Sequence, residues 1–337
     1  MDNASYYNAL AIACRGSYTK LSRALARYGT WKNAWGRVRG APDPRHERRI
    51  LDEHGIALTL CDDAAYPPLL KEAPVRPFGL YIKGDLRYKT PAVAIIGTRA
   101  ASPEGKTTAR SFARSLARAG IPIISGLALG IDAEAHRGAL EAGGKTVAVL
   151  GTPLDSVYPK QHHALAEEIL KTGGALVSEF AIGHPYHASN FLSRNRIISG
   201  LSTAILIIEA PERSGTLATA RFALEQNRDI FVIPGSIASR NYKGSHELIK
   251  AGAALVTSPE DILTHLGITG PDMHATLPAL TDPEQRIICA IRDGHATADR
   301  LLCATDMELS ELYQFLALLA IKGIIKELNG KYHLNNN

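Results

Sequence analysis

The sequence predicts a doubly wound α/β protein, an open parallel sheet flanked by helices, with a small helical domain before it and a helix-and-hairpin domain after it. Three observations predict it. Seven short apolar runs, at 93–96, 121–125, 147–150, 175–178, 204–209, 230–233 and 254–257, have the character of strands buried on both faces. Helix-period stretches lie between them, at 103–119, 132–142, 164–171, 191–200 and 216–226, long enough for right-handed crossovers. At 337 residues the chain is also too long for one ordinary core, so two or three domains are expected.

Residues 1–62 read as helices, with glycine turns at Gly16 and Gly29 and a break over Gly40-Ala41-Pro42-Asp43-Pro44. The sheet domain is expected over 63–267. Its first helix has a clear start, Ser102 as cap before Pro103 at the first helical position. Residues 268–280 are rich in Gly, Pro and Thr without apolar periodicity and read as a linker. The last domain, 281–337, reads as helices around 296–302 and 308–322 and a hairpin over 324–334. Asn329-Gly330 between its apolar runs is a strong hairpin signal, and a winged helix is the natural reading.

Composition narrows the function classes. Hydrophobic residues at 45% and charged residues at 21% are globular averages, which excludes a disordered chain, a collagen repeat or a coiled-coil rod. Neither an apolar run of membrane-spanning length nor a secretory leader is legible, so a cytoplasmic protein is expected. Cys14, Cys61, Cys289 and Cys303 form no Cys-x-x-Cys pair, which speaks against a disulfide framework or a structural zinc. The net charge of +5 is uneven: residues 1–60 hold 10 basic against 5 acidic side chains, and residues 281–337 hold 6 against 8. A basic excess at one end points toward a polyanion.

Open parallel sheets bind ligands at the carboxyl ends of their strands. There the sequence is rich in glycine: Gly97-Thr98-Arg99 after the first strand, Ser125-Gly126-Leu127-Ala128-Leu129-Gly130-Ile131-Asp132 after the second, Gly151-Thr152-Pro153 after the third. Three such loops along one edge, each leading to a helix N-terminus, favour an anion site over mere tight turns. Arg99 would cover it as a phosphate fork. Asp132 would repel phosphate and is expected to cap its helix or brace its loop. Lys160, Arg194 and Arg196 add positive charge. For the two arginines, phosphate contact competes with an ion pair to Glu209 or Glu179. Ser214-Gly215-Thr216 opens a helix after a strand and either caps it or receives an anion.

Competing chemistries lose support. Ala100–Thr107 imitates a phosphate loop, but Gly97 lies three residues too early and Pro103 removes an N–H, which puts Lys106 on the helix. The G-x-G-x-x-G dinucleotide fingerprint and the G-x-S-x-G nucleophile elbow are absent. His162-His163 and the His184–His187 pair read as surface histidines. No catalytic constellation, metal site or cofactor is expected.

As a set, the loops Gly97-Thr98-Arg99, 125–136, Tyr158-Pro159-Lys160, Ser178-Glu179, Arg194-Asn195-Arg196, Glu209-Ala210, Ser214–Ala220 and Pro234-Gly235 closely resemble the DNA-processing protein A (DprA, or Smf) family over about residues 65–265. The resemblance implies an extended Rossmann-like domain, here with a sterile-alpha-motif or helix-hairpin-helix type appendage and a winged helix. It further implies a homodimeric, non-enzymatic mediator of natural transformation that binds and protects single-stranded DNA and loads the recombinase RecA. The DNA-binding set it implies, joined to the loop reading, is Gly97, Thr98, Arg99, Ser125, Gly126, Leu127, Gly130, Lys160, Phe191, Arg194, Asn195 and Arg196. Three departures stand out. Thr98 replaces the usual Ser, the Gly151 loop lacks a second glycine, and Phe191-Leu192-Ser193 replaces a Phe-Pro start. The net −2 of the last domain suits protein contact better than a DNA clamp. The main rival is a nucleotide N-glycosidase of the LOG type, in which the position of Thr219 carries a catalytic glutamate. A phosphate-loop ATPase and a scaffold that binds no nucleic acid stand behind it.

Overall fold

The computed structural model describes residues 1–88, 91–268, 281–321, 324–328 and 330–334. It divides into two compact units, Met1–Thr269 and Gly270–Asn337. The expected linker falls almost wholly outside the described residues, as does Asn329 of the expected hairpin turn.

The first unit is built on a sheet of β1 (Ala57–Leu60), β2 (Gly79–Gly84), β3 (Val93–Ile96), β4 (Ile123–Ser125), β5 (Thr146–Leu150), β6 (Ala175–Ser178), β7 (Ala204–Ile207), β8 (Asp229–Val232) and β9 (Ala254–Leu255). Their spatial order is β1-β2-β6-β5-β4-β3-β7-β8-β9. From β6 across to β9 every pairing is parallel, as the apolar runs predict, with Ala94 opposite both Ile124 and Ile205. Alternate side chains go to opposite faces. Val93 and Ile95 pack against helices Pro103–Arg118 and Ile131–Glu141 through Phe112, Leu116 and Ala135. Ala94 and Ile96 face helices Ala188–Gly200 and Gly215–Glu225 through Ile197, Ile198 and Ala220. Each fully buried Val or Ile contributes about 1.5–3 kcal/mol, and the absence of a polar face is what makes such strands stable only between two helical layers.

Three expectations need correction. The sheet is not wholly parallel, because β2 runs antiparallel to β6 and β1 antiparallel to β2. Residues 57–60, assigned by sequence to the helical domain, are a strand of this sheet with Leu58 and Leu60 buried. Four residues are too few for alternation to stand out from the end of a helical segment. β9 is exposed rather than buried, with Leu255 at 51%, because it is two residues long and has a neighbour on one side only.

Helices Asn3–Ala13, Tyr18–Tyr28, Trp31–Trp35 and Pro44–Glu53 form the amino-terminal part, each begun by a side-chain cap from Asp2, Ser17, Thr30 or Asp43. They belong to the same compact unit as the sheet. Tyr7 and Trp31 pack edge to face 5.1 Å apart, Trp31 meets Phe78, and the Tyr81 hydroxyl donates to Asn8 at 2.8 Å.

The second unit has helices Asp282–Arg292, Ala298–Thr305 and Leu309–Ile321 and an antiparallel hairpin of β10 (Ile325–Leu328) and β11 (Lys331–Leu334). A capping box of Thr281 and Glu284 starts its first helix. Ile287, Leu301, Leu312, Leu316 and Ile325 form its core.

The strand order places the functional edge. From β3 the chain runs outward through β4, β5 and β6, then returns to β7 on the other side of β3. That reversal opens a crevice beyond the carboxyl ends of β3 and β7.

Candidate functional site

A cavity of about 420 Å³ occupies this crevice. The loop after β3 enters it through Gly97, Thr98 and Arg99, and the segment after β7 through Arg213, Ser214 and Gly215. Helix Ala188–Gly200 closes it with Phe191, Arg194 and Asn195.

The β3 loop is held from beneath. Glu209, fully buried after β7, accepts from Ser102 N at 3.1 Å and Ser102 Oγ at 2.5 Å, and from Asn241 Nδ2 at 2.8 Å. Ser102 Oγ in turn accepts from Gly105 N, so the start of helix Pro103–Arg118 is already satisfied. Lys106 lies exposed on that helix, as expected. Glu209 therefore engages hydroxyl and amide groups rather than an arginine.

The β4 loop is held by Gly130 and Asp132. Gly130 has φ +81°, and an added Cβ would lie 2.6 Å from the Arg99 carbonyl oxygen, so only glycine permits this approach. Asp132 accepts from Ala128 N at 3.4 Å. It is a brace for the loop; Gly130 occupies the cap position. Burial raises its pKa, and the Arg194 charge opposes that shift. Burial also pulls Arg194 down to about 10, against the attraction of Asp132, so the guanidinium stays charged at neutral pH. Its Nη1 donates to Gly126 O at 2.6 Å and to Val149 O.

Several residues of the sequence-derived set are therefore scaffold in this structure. Ser125 is fully buried, with its hydroxyl donating to Ile95 O at 2.7 Å. Leu127, in the left-handed region at φ +58°, buries its side chain in the core, and its carbonyl accepts from His162 Nδ1. Arg196 points away from the cavity into a buried ion pair with Glu179 at 2.5 Å, the alternative left open by the sequence. Arg194 lines the cavity, but its Nη1 is engaged by backbone carbonyls. Gly126 packs against that guanidinium.

Two other members of the set, Arg99 and Asn195, line the cavity at its rim beside Phe191. Arg99 is exposed, and its guanidinium carbon lies 5.6 Å from the centre of the Phe191 ring. Asn195 donates to Gly215 O at 3.3 Å. Lys160 is exposed two residues beyond Tyr158. Among the described residues, Arg99, Lys160 and Arg213 form no ion pair. Ser214 makes no capping bond to helix Gly215–Glu225, and its hydroxyl is buried without a partner. That leaves the helix start open to the cavity.

The sequence reading placed Phe191 in the site but missed the two tyrosines beside it. Tyr158, Tyr186 and Phe191 form a triangle with ring centres 5.2–5.4 Å apart, and both tyrosines are exposed. A hydrogen bond to Tyr158 raises the pKa of the Tyr186 hydroxyl. Tyr158 stood in a recognised motif and Tyr186 between two histidines, but nothing in their spacing brings them together. Arg213, next to the Ser-Gly-Thr turn, was missed for the same reason.

This combination of free cations, an open helix start and exposed rings around a crevice at the strand reversal can be set beside known proteins. The family model for DNA recombination-mediator protein A matches residues 57–267. The chain belongs to this family. It is 46% identical over 217 residues to protein Smf of Escherichia coli, an alignment covering 64% of this chain and 58% of that protein. Among solved structures, DprA of Streptococcus pneumoniae aligns with a TM-score of 0.64 at 34% identity, covering 78% of this chain and 98% of that one. DprA of Helicobacter pylori aligns with a TM-score of 0.58 at 29% identity, covering 64% and 97%. The latter structure is described as showing a single-stranded DNA binding mode. Both carry the mixed α/β fold with a large parallel sheet found here, and the residues matched by the family model span that sheet. Among the described residues of this mediator-family chain, no helix is long and apolar enough to cross a membrane.

Proposed function

We propose that this protein binds single-stranded DNA along the rim of the crevice and there mediates recombination without cleaving the strand. One observation carries the reading: the unpaired Arg99 guanidinium lies over Phe191 beside the exposed Tyr158 and Tyr186 rings, so charge and stacking surface adjoin one cavity. Phosphates are received by Arg99, Lys160, Arg213 and the open start of helix Gly215–Glu225. Bases stack on the aromatic triangle, which tolerates any sequence because every base has a π-face. Gly97, Thr98 and Asn195 shape the opening, and Gly130 and Gly126 hold the β4 loop beneath it.

The wider role extends this reading. A homodimer holds incoming strands in the cytoplasm, protects them and passes them to RecA during natural transformation. The winged-helix-like second unit, net negative, serves protein contact. The chain spans about 58% of the length of its Escherichia coli relative.

A titration with single-stranded against duplex oligonucleotides across salt tests the reading. With about four phosphates neutralised per protomer, log K should fall with log salt at a slope near −3, and fourfold more salt should cost on the order of fifty-fold in affinity. A flat response, or tighter binding of duplex, would overturn it. The glycosidase rival predicts free base from nucleoside monophosphates. At its catalytic position Thr219 donates to Gly215 O at 3.2 Å, and the carboxylate lining the cavity, Asp132, is buried under the loop it braces.

A further inference from the structure

We infer that the amino-terminal helices carry a second contact for the same DNA strand, a phosphate track that continues from the cavity rim. The inference rests on the single-strand reading above. Between Asp2 and Asp43 the sequence contains no acidic residue, yet it holds seven basic ones: Arg15, Lys20, Arg23, Arg27, Lys32, Arg37 and Arg39. All seven are exposed, and among the described residues none forms an ion pair. Protein surfaces ordinarily intersperse both signs, and seven like charges without a counter-charge repel one another in the folded state.

The fold turns part of this charge into a stripe. Helix Tyr18–Tyr28 packs Leu21, Leu25 and Tyr28 into the core shared with the other amino-terminal helices. Lys20, Arg23 and Arg27, spaced three and four residues apart, then share its outward face. At one end of the helix is the turn of Arg15 and Gly16, both in the left-handed region at φ +51° and +62°. A Cβ added to Gly16 would lie 2.9 Å from His184 Cε1 and 3.4 Å from the Phe180 ring. His184 belongs to the segment that carries Tyr186 into the aromatic triangle. The basic turn therefore abuts the rim of the proposed DNA site.

The chemistry of the stripe selects its partner. No large hydrophobic side chain is exposed between residues 2 and 74. Protein interfaces draw their affinity from buried aromatic and apolar anchors, and membrane-bound helices need an apolar face to insert. A face of bare cations suits evenly spaced phosphates, where counterion release supplies the affinity.

The experiment compares oligonucleotides of about six and about thirty nucleotides, one within and one well beyond a single groove of this kind. The full chain is set against the variant R15A/K20A/R23A/R27A. The variant should bind the short strand as the native chain does. It should lose on the order of tenfold or more affinity for the long strand near physiological salt, with a salt slope shallower by about two to three. A second variant, R15K/R23K/R27K, keeps the charge and should restore long-strand binding, which a merely structural role would not require. Equal binding of the long strand by native and four-alanine chains overturns the inference. So does equal weakening of both lengths, or a loss confined to duplex DNA. Failure of the native chain to bind either strand at low salt would instead remove the single-strand reading itself.

Discussion

The rim and the floor of the crevice are built from the same residue types and behave as opposites. At the floor, Arg194 is 3% exposed, donates to two backbone carbonyls and faces the buried Asp132. At the rim, Arg99 is exposed and touches an aromatic face. A charge removed from water must be paired where it stands, and once paired it is not available to a ligand. Burial therefore divides the arginines of this site into those that hold its shape and those that bind.

On this division, floor changes act on folding and rim changes on binding. The largest effect is expected for Arg194→Ala, which leaves Asp132 buried without its counter-charge. Denaturant titration should show a loss of roughly 3–5 kcal/mol, and a loss below about 1 kcal/mol would make floor and rim alike. His136, on the same helix as Asp132, sharpens the contrast through pH. Burial lowers its pKa from 6.5 to about 3. Its neutral form stabilises the fold fully above pH 6.5, and that contribution is lost as pH falls through the range from 6.5 to about 3. Stability should decline by up to about 1.4 kcal/mol per pH unit there, and less steeply in His136→Gln. Matching pH profiles of the two proteins would break the assignment.

At the rim, Tyr158→Ala and Tyr186→Ala should each weaken single-strand binding by about 1–3 kcal/mol while leaving the denaturation midpoint in place. Loss of midpoint without loss of affinity would move the tyrosines into the scaffold. The smallest effect is expected for Arg99→Ala. Its salt slope should be shallower by about 0.7 for each phosphate that the missing guanidinium would have neutralised, with all sequences weakened alike. A sequence-selective loss would mean that Arg99 reads bases instead.

Much of this architecture was legible before any coordinates. The strands from Val93 to Val232 announced themselves because burial on both faces demands apolar residues at every position. The Ser102-Pro103 start and the glycine loops were legible because caps and turns depend on local backbone chemistry. Ala57–Leu60 was not, since four residues gain strand character only from pairing with β2. Nor was the division of the arginines. Arg194 and Arg196 are two residues apart on one helix, and no local signal separates a carbonyl clamp from an ion pair to Glu179. The aromatic triangle joins Tyr158 to the stretch from Tyr186 to Phe191, two segments that meet only once the sheet is folded.

By itself, then, the sequence determined the strand succession, the glycine turns at the sheet edge and the uneven distribution of charge, all of which depend on residue type and near-neighbour spacing. Tertiary structure decided which cations are buried and which stay free, where the crevice opens and which rings gather beside it. Those outcomes depend on desolvation and on contacts between segments distant along the chain, and neither quantity exists until the chain has closed on itself.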